Sequence, residues 1–164
     1  MPAAFSIRPI APDDKAALAS FFSHLSEESR RRRFLGAKPR LSARELAFLT
    51  EVDQCRHVAL VAVDDAGAII GVGRYATWHD SPDRAEMAFA VVDEWQGRGL
   101  GTELGNRLVA RARASGLVTL TGSTFAFNAP AKALLGKLGF RPKGIASGVA
   151  DYELSLGGAL PAAA

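Results

Sequence analysis

The chain has 164 residues, of which 48% are hydrophobic and 23% charged, the balance of a globular domain with a sizeable core. The formal net charge of +3 and the pI near 9.4 suit an anionic ligand or an acidic partner surface, but fall short of the charge density of a dedicated nucleic-acid binder. The lone Cys55 excludes an internal disulfide and a cysteine metal cluster, no apolar run approaches the roughly 20 residues of a membrane span, and Met1–Ile10 lacks a signal-peptide core. The expectation is a cytoplasmic protein with no metal and no membrane or nucleic-acid partner, a monomer or homodimer.

Phe5-Ser-Ile-Arg-Pro9 alternates and ends on proline, which predicts a short strand. Asp13 and Asp14 precede Leu18, Phe21, Phe22 and Leu25, whose spacing predicts a helix. Ser26-Glu-Glu-Ser29 begins a second, strongly basic helical segment through Arg33 and Phe34. Leu41-Ser42 caps a third, with Leu46, Phe48 and Leu49 as its apolar residues. The pattern then changes to strand. His57–Val63 and Ala68–Tyr75 are β-rich runs separated by the turn Asp64-Asp-Ala-Gly67, which predicts a hairpin. Ser81-Pro-Asp83 reads as a further turn before a strand over Arg84–Val92. A helix follows from Leu100 to Ser115 with Gly116 as its stop, then a strand over Leu117–Gly122. Asn128-Ala-Pro130 can start a helix that reaches Leu138 and ends at Gly139; Arg141–Leu156 supplies one or two last strands. This order predicts an α/β (α+β) domain over residues 1–156, a mixed, mostly antiparallel sheet of six to seven strands flanked by helices. The small, apolar residues 157–164 read as a loose tail.

The most informative run is Gln96-Gly-Arg-Gly-Leu-Gly-Thr102, between the apolar strand and the pattern Leu100, Leu104, Leu108. Glycines permit a tight turn and close backbone approach, and a helix start adds unpaired N–H donors and a positive dipole end. Such a place binds phosphate groups. No Lys-Ser/Thr follows the glycines, so it is not a P-loop; Gly97-x-Gly99-x-Gly101 lacks the dinucleotide spacing. Gly71-x-Gly73-x-x-Ala76 has nearly that spacing, but no helix pattern follows it. Taken alone, the run could also be a plain strand-to-helix connection.

The pattern Gln/Arg-x-x-Gly-x-Gly/Ala at Gln96–Gly101, after a strand ending in Val91, resembles the acetyl-CoA-binding motif of the GNAT N-acetyltransferases. Asn128-Ala-Pro-Ala-Lys-Ala-Leu-Leu-Gly-Lys-Leu138-Gly-Phe140 is similar to that family's second motif, and the resemblance extends from Ile7 to Leu156. More narrowly, Arg8-Pro9, Leu25-Ser-Glu-Glu-Ser-Arg30, Gly71-x-Gly73-Arg74-Tyr75 and Ala85-Glu86-x-Ala88 resemble the acetyltransferase domain of bacterial protein-lysine acetyltransferases, which modify acyl-CoA synthetases. The resemblance implies a GNAT fold and acetyl-CoA as cofactor. It implies that backbone N–H groups of Gly97, Arg98, Gly99, Leu100, Gly101 and Thr102 hold the pyrophosphate, with Gln96 opening the loop. It also implies that the backbone of Phe89, Ala90 and Val91 pairs with the pantetheine arm, because that strand splays from its neighbour, and that Asn128 reaches the cofactor. On local grounds Asn128 serves equally as a helix N-cap.

Acetyl transfer to an amine needs a neutral nitrogen, yet a free lysine amine has a pKa near ~10.4, so a base must help. Alternation puts Glu86 on one face with Ala88 and Ala90, and a glutamate at this place is the base in the similar lysine acetyltransferases. The competing reading pairs Glu86 with Arg74 or Arg84. The Val91 N–H is the candidate donor to the developing oxyanion. One departure stands out: many GNAT enzymes place a thiolate-protonating tyrosine seven residues after the Asn, where this chain has Leu135. Tyr75 and Tyr152 are the only tyrosines, and the acid is either supplied elsewhere or not needed, given the low pKa of a thiol. His24, His57 and Cys55 read as structural or inert, Trp78 and Trp95 as packing residues, and Arg30–Arg33 as a solvated helix face that could dock an acidic protein. His79, in a loop, is a weaker candidate for the acceptor border. Three functions remain open: an N-acetyltransferase acting on a protein lysine, such as one on an acyl-CoA synthetase; one acting on a small amine; and a non-catalytic acyl-CoA sensor.

Overall fold

Apolar alternation and β-branched residues drive seven segments into one sheet, and amphipathic helices cover both of its faces. The computed structural model describes residues 4–157. The sequence elements are β1 (Phe5–Pro9), α1 (Lys15–His24), α2 (Glu27–Phe34), α3 (Ala43–Thr50), β2 (His57–Asp64), β3 (Ile69–Trp78), β4 (Ser81–Val91), α4 (Leu100–Ala114), β5 (Thr119–Phe125), α5 (Ala129–Lys137), β6 (Arg141–Ala146) and β7 (Val149–Ser155). The sheet order is β1-β2-β3-β4-β5-β7-β6. Every pairing is antiparallel except β4 with β5. The expected tail beyond Gly157 lies outside the described residues.

Helices α4 and α5 pack on one face. Leu100, Leu104 and Leu108 of α4 are fully buried, each such side chain contributing roughly 2 kcal/mol of burial. They reach the sheet because Gly71 and Gly73 leave room: a Cβ at Gly73 would lie 2.9 Å from Leu108 and 3.1 Å from the Phe89 ring. Gly105 of α4 likewise admits Leu138 at the end of α5. The other face carries α1, α2 and α3, with Leu18, Phe21, Phe22 and Leu25 buried. Ser26 and Ser42 cap α2 and α3 by accepting the N–H of Ser29 and Glu45. Arg8 forks onto Asp14 with two contacts of 2.8 Å, tying β1 to the start of α1. That hydrogen-bonded pair, which outweighs the burial of Asp14, holds its carboxyl below the usual range.

Three expectations are corrected. Ser81–Asp83 are strand, not turn; the hairpin closes on His79-Asp80, and a register irregularity at Thr77/Trp78 accommodates Pro82 at the strand start. Phe48 is 66% exposed: it points off the helix and its ring lies 5.2 Å from that of His57, leaving Leu46 and Leu49 to pack on the core. Trp78 is not a packing residue of the interior but lies on the surface under Arg84. No helix of the described residues is long and apolar enough to cross a membrane.

Candidate functional site

The decisive feature is where β4 and β5 part. They pair only over Arg84↔Thr119, Ala85↔Leu120 and Glu86↔Thr121. Past Glu86 the two strands diverge, while β4 continues against β3 to Val91. A cleft of about 470 Å³ opens along the split.

The alternation of peptide groups along β4 follows from two hydrogen bonds. Val92 N–H donates to the Ile70 carbonyl, and the Asp83 carbonyl accepts from Val118. Odd-numbered residues therefore turn their peptide groups toward β5 and even-numbered ones toward β3. Beyond the split, Phe89 directs its N–H and C=O, and Val91 its N–H, into the cleft, while the Val91 C=O is taken by the Gln96 side chain. These half-buried residues leave peptide groups without a strand partner, so this strand offers itself to an extended ligand. Ala90 lines the cleft, but its peptide groups face β3.

Past the end of β4 comes the glycine loop. Gly97 and Gly99 sit at φ +75° and +84°, a region that side-chain-bearing residues rarely adopt. Gly99 precedes α4 and its carbonyl accepts from Glu103, so the N–H groups of Leu100, Gly101 and Thr102 begin the helix without intrahelical partners. The Gln96 side chain ties the loop down: its Nε2 donates to the Val91 carbonyl at 2.9 Å and to Ser29 Oγ at 3.3 Å. Asp93 accepts from Ser29 Oγ at 2.9 Å, which links the loop to α2. Arg98 does not border the cleft; its guanidinium lies over the Trp95 ring, 5.1 Å from the centroid. Trp95 in turn meets Phe5 edge-on. Asn128 is buried and accepts the Ala131 N–H at 3.3 Å as the α5 cap, while bordering the cleft. The free donors, the split strand and the positive-φ glycines fit a long, phosphate-bearing ligand such as acetyl-CoA.

At the other end the cleft is built from side chains. Glu86 is exposed there and is the one carboxylate among the described residues that line it. The alternative ion pairs do not form: Arg84 reaches Glu153 at 3.3 Å, and Arg74 donates to the Leu49 carbonyl and His57. Helix α2 crosses the cleft from Ser29 beside the loop to Arg33 within the field of Glu86, with Arg32 also on the cleft wall. Burial lowers the Arg33 pKa, an effect that the charge of Glu86 opposes. Burial, then the charge of Arg33, pushes Arg74 down to about 9. Burial and then Arg74 push His57 down to about 4. Leu135 is buried on the cleft wall, so no α5 hydroxyl stands there. His79 and His24 are exposed outside the cleft, and Cys55 is exposed and free.

Arg33 and Arg74 carry site electrostatics that sequence reasoning assigned to a solvated helix face or to an ion pair with Glu86. The signals were present. Ser29 and Arg33 share one helical face at i, i+4, and Arg74 is a lone cation in an otherwise apolar strand.

A family model described as the Acetyltransferase (GNAT) family matches residues 19–140. The chain is 29% identical over 136 residues to the acetyltransferase Pat of Mycolicibacterium smegmatis; the match takes in 82% of this chain and only 40% of that protein's length. It is 34% identical over 107 residues to an L-methionine sulfoximine/L-methionine sulfone acetyltransferase of Pseudomonas aeruginosa, covering 63% of this chain and 62% of that one. The GNAT domain of S. lividans PAT superposes with a TM-score of 0.86 at 31% identity, over 91% of this chain and 89% of that domain. A phosphinothricin acetyltransferase of Sinorhizobium meliloti, solved with acetyl-CoA, shares the fold at a TM-score of 0.77 and 19% identity, over 92% of this chain and 88% of its own. With the split strand, the glycine loop and the Asn128 helix all in place, the chain belongs to the GNAT acetyltransferase family, whose acyl donor is acetyl-CoA.

Proposed function

We propose that this enzyme transfers an acetyl group from acetyl-CoA to a primary amine, with Glu86 as general base and a protein lysine as acceptor. The observation that carries the chemistry is the Glu86 carboxylate, without an ion pair and alone of its kind on the cleft wall among the described residues. It stands at the last β4–β5 pair, where the cleft begins. Glu86 takes the proton of the attacking amine, directly or through water. The Val91 N–H faces the cleft and donates to the carbonyl oxygen as negative charge develops. The new N–C bond replaces the C–S bond, and the thiolate takes a proton from solvent, since Leu135 offers none. Phe89 and Val91 hold the pantetheine arm as an added strand, with Ala90 beneath it. The loop Gln96–Thr102 holds the pyrophosphate, and Asn128 borders the arm. The similarity to the PAT domain, together with the resemblance to protein-lysine acetyltransferases, supports a lysine acceptor.

A second reading, a small amino-acid acceptor, is favoured by the similarity to the methionine sulfone acetyltransferase and by the cationic end of the cleft. The test is a thiol-release assay with acetyl-CoA, run with acyl-CoA synthetases and with free amines, on wild type and Glu86→Gln. Glu86-dependent turnover with a synthetase, with the acetyl group mapped to a lysine, is the expected result. Equal turnover by both forms removes Glu86 as the base. Cofactor binding without turnover on any amine leaves the acyl-CoA sensor as the reading.

A further inference from the structure

Two arginines, Arg33 at the cleft wall and Arg74 behind it, act on each other's charge, and Glu86 offsets only Arg33. Arg74 is 7% exposed and lies opposite Ala88 in the β3–β4 register. Its Nη1 donates at 3.1 Å to the Leu49 carbonyl and at 3.0 Å to His57 Nε2, both neutral acceptors. Arg33 descends from α2 with its guanidinium 4.7 Å from the Phe34 ring centroid. It forms none of the ion pairs made among the described residues. Arg33 borders both the main cleft and a small cavity of about 30 Å³ under α1, α2 and α3, and Arg74 borders that cavity. Ala90 borders both the cleft and that cavity, and its methyl group leaves the space between them unfilled.

Two guanidiniums that border one small cavity and repel each other are costly to bury unless an anion joins them. Glu86 acts on Arg33 from the open cleft and joins neither arginine in an ion pair among the described residues. A guanidinium fork matches a carboxylate in shape and donor spacing. We propose that Arg33 and Arg74 form a carboxylate subsite at the acceptor end of the cleft, holding an acidic group of the acceptor within reach of the amine that Glu86 deprotonates. This rests on the acetyltransferase reading and narrows its acceptor. The carboxylate belongs either to a free amino acid or to an acidic side chain beside a protein lysine; the recognition chemistry is the same.

The test uses matched pairs. One is L-methionine sulfone against its carboxamide; the other is a lysine peptide with glutamate beside the lysine against the same peptide with glutamine. Binding is measured by calorimetry on the full chain saturated with CoA, and transfer is measured separately with acetyl-CoA. The wild type is expected to bind the acid member of at least one pair about tenfold or more tightly, and that pair identifies the source of the carboxylate. Arg33→Met should abolish the preference with CoA affinity unchanged, and Arg33→Lys should restore part of it, which guards against a merely misfolded variant. Equal binding of acid and amide in both pairs overturns the subsite, as does a preference that survives Arg33→Met. If no amine is acetylated while the acid preference persists, the function proposed above fails and the subsite stands. If acid and amide are bound and acetylated alike, the reverse holds.

Discussion

The two ends of the cleft are made of different material. The cofactor end is backbone: N–H groups of a split strand, two positive-φ glycines and the start of α4. The acceptor end is side chain: Glu86 from β4, Arg33 from α2 and Arg74 from β3, with His57 of β2 behind. A backbone site suits what is common to every turnover, which is why the pantetheine and pyrophosphate are proposed to lie there, and it tolerates changes in side chain. A side-chain site can be rebuilt residue by residue, which suits the proposed role of choosing the amine. The Gln96–Ser29–Asp93 hydrogen bonds couple the two ends by tying the loop to α2.

Substitutions should separate the two ends. Glu86→Gln should lower kcat by on the order of 100-fold or more, the scale of general base catalysis, with the KM for acetyl-CoA little changed. Steady-state kinetics check this, and a large rise in that KM instead would place Glu86 at the cofactor end. Gly105→Val should destabilise the fold by about 1–3 kcal/mol, because a Cβ there would lie 2.5 Å from Leu138 Cδ1. Denaturant unfolding reads the loss; unchanged stability would mean that α4 and α5 are not packed this closely. Gly99→Val should weaken acetyl-CoA binding about tenfold or more, since a β-branched residue resists φ +84°. Calorimetry would show it, and unaltered affinity would contradict the loop assignment.

The smallest effect expected is a pH slope confined to the charged end. The folded-state pKa of His57, about 4, lies below the unfolded value of roughly 6.5. The unfolded chain therefore binds the extra proton first. Stability from the neutral imidazole is full above about pH 6.5 and is lost as pH falls toward 4. Melting temperatures between pH 7 and 4.5 should fall less for His57→Gln than for wild type. Parallel curves would mean that His57 titrates normally and does not sit beside the two arginine charges.

Much of the cofactor end was legible in order along the chain, because a strand, a glycine loop and a helix start are local. Gln96–Thr102 carried the turn chemistry, and the capping role of Asn128 is visible as Asn-Ala-Pro. The acceptor end was legible only in part. Glu86 stood out as a carboxylate among small residues. Arg33 was submerged in a run of four arginines, and only its helical phase separates it from Arg31, whose guanidinium lies over Phe125. Arg8, which belongs to the resemblance, proved to be a clamp on Asp14 away from the cleft. Tight turns also escaped: the hairpin at His79-Asp80 displaced the reading of Ser81-Pro-Asp83 because proline is tolerated at a strand start.

The amino-acid sequence by itself determined the elements, the strand–loop–helix proposed to hold a pyrophosphate, and the family, because each depends on residues within a few positions of one another. Only the tertiary structure decided that β4 and β5 part after Glu86, that Glu86 has no ion-pair partner among the described residues, and that Arg33 and Arg74 border one cavity behind the cleft. Those facts depend on side chains from α2, β3 and β4 converging across a gap between strands. Spacing along a chain does not encode such a distance; packing of helices on the two faces of the sheet sets it.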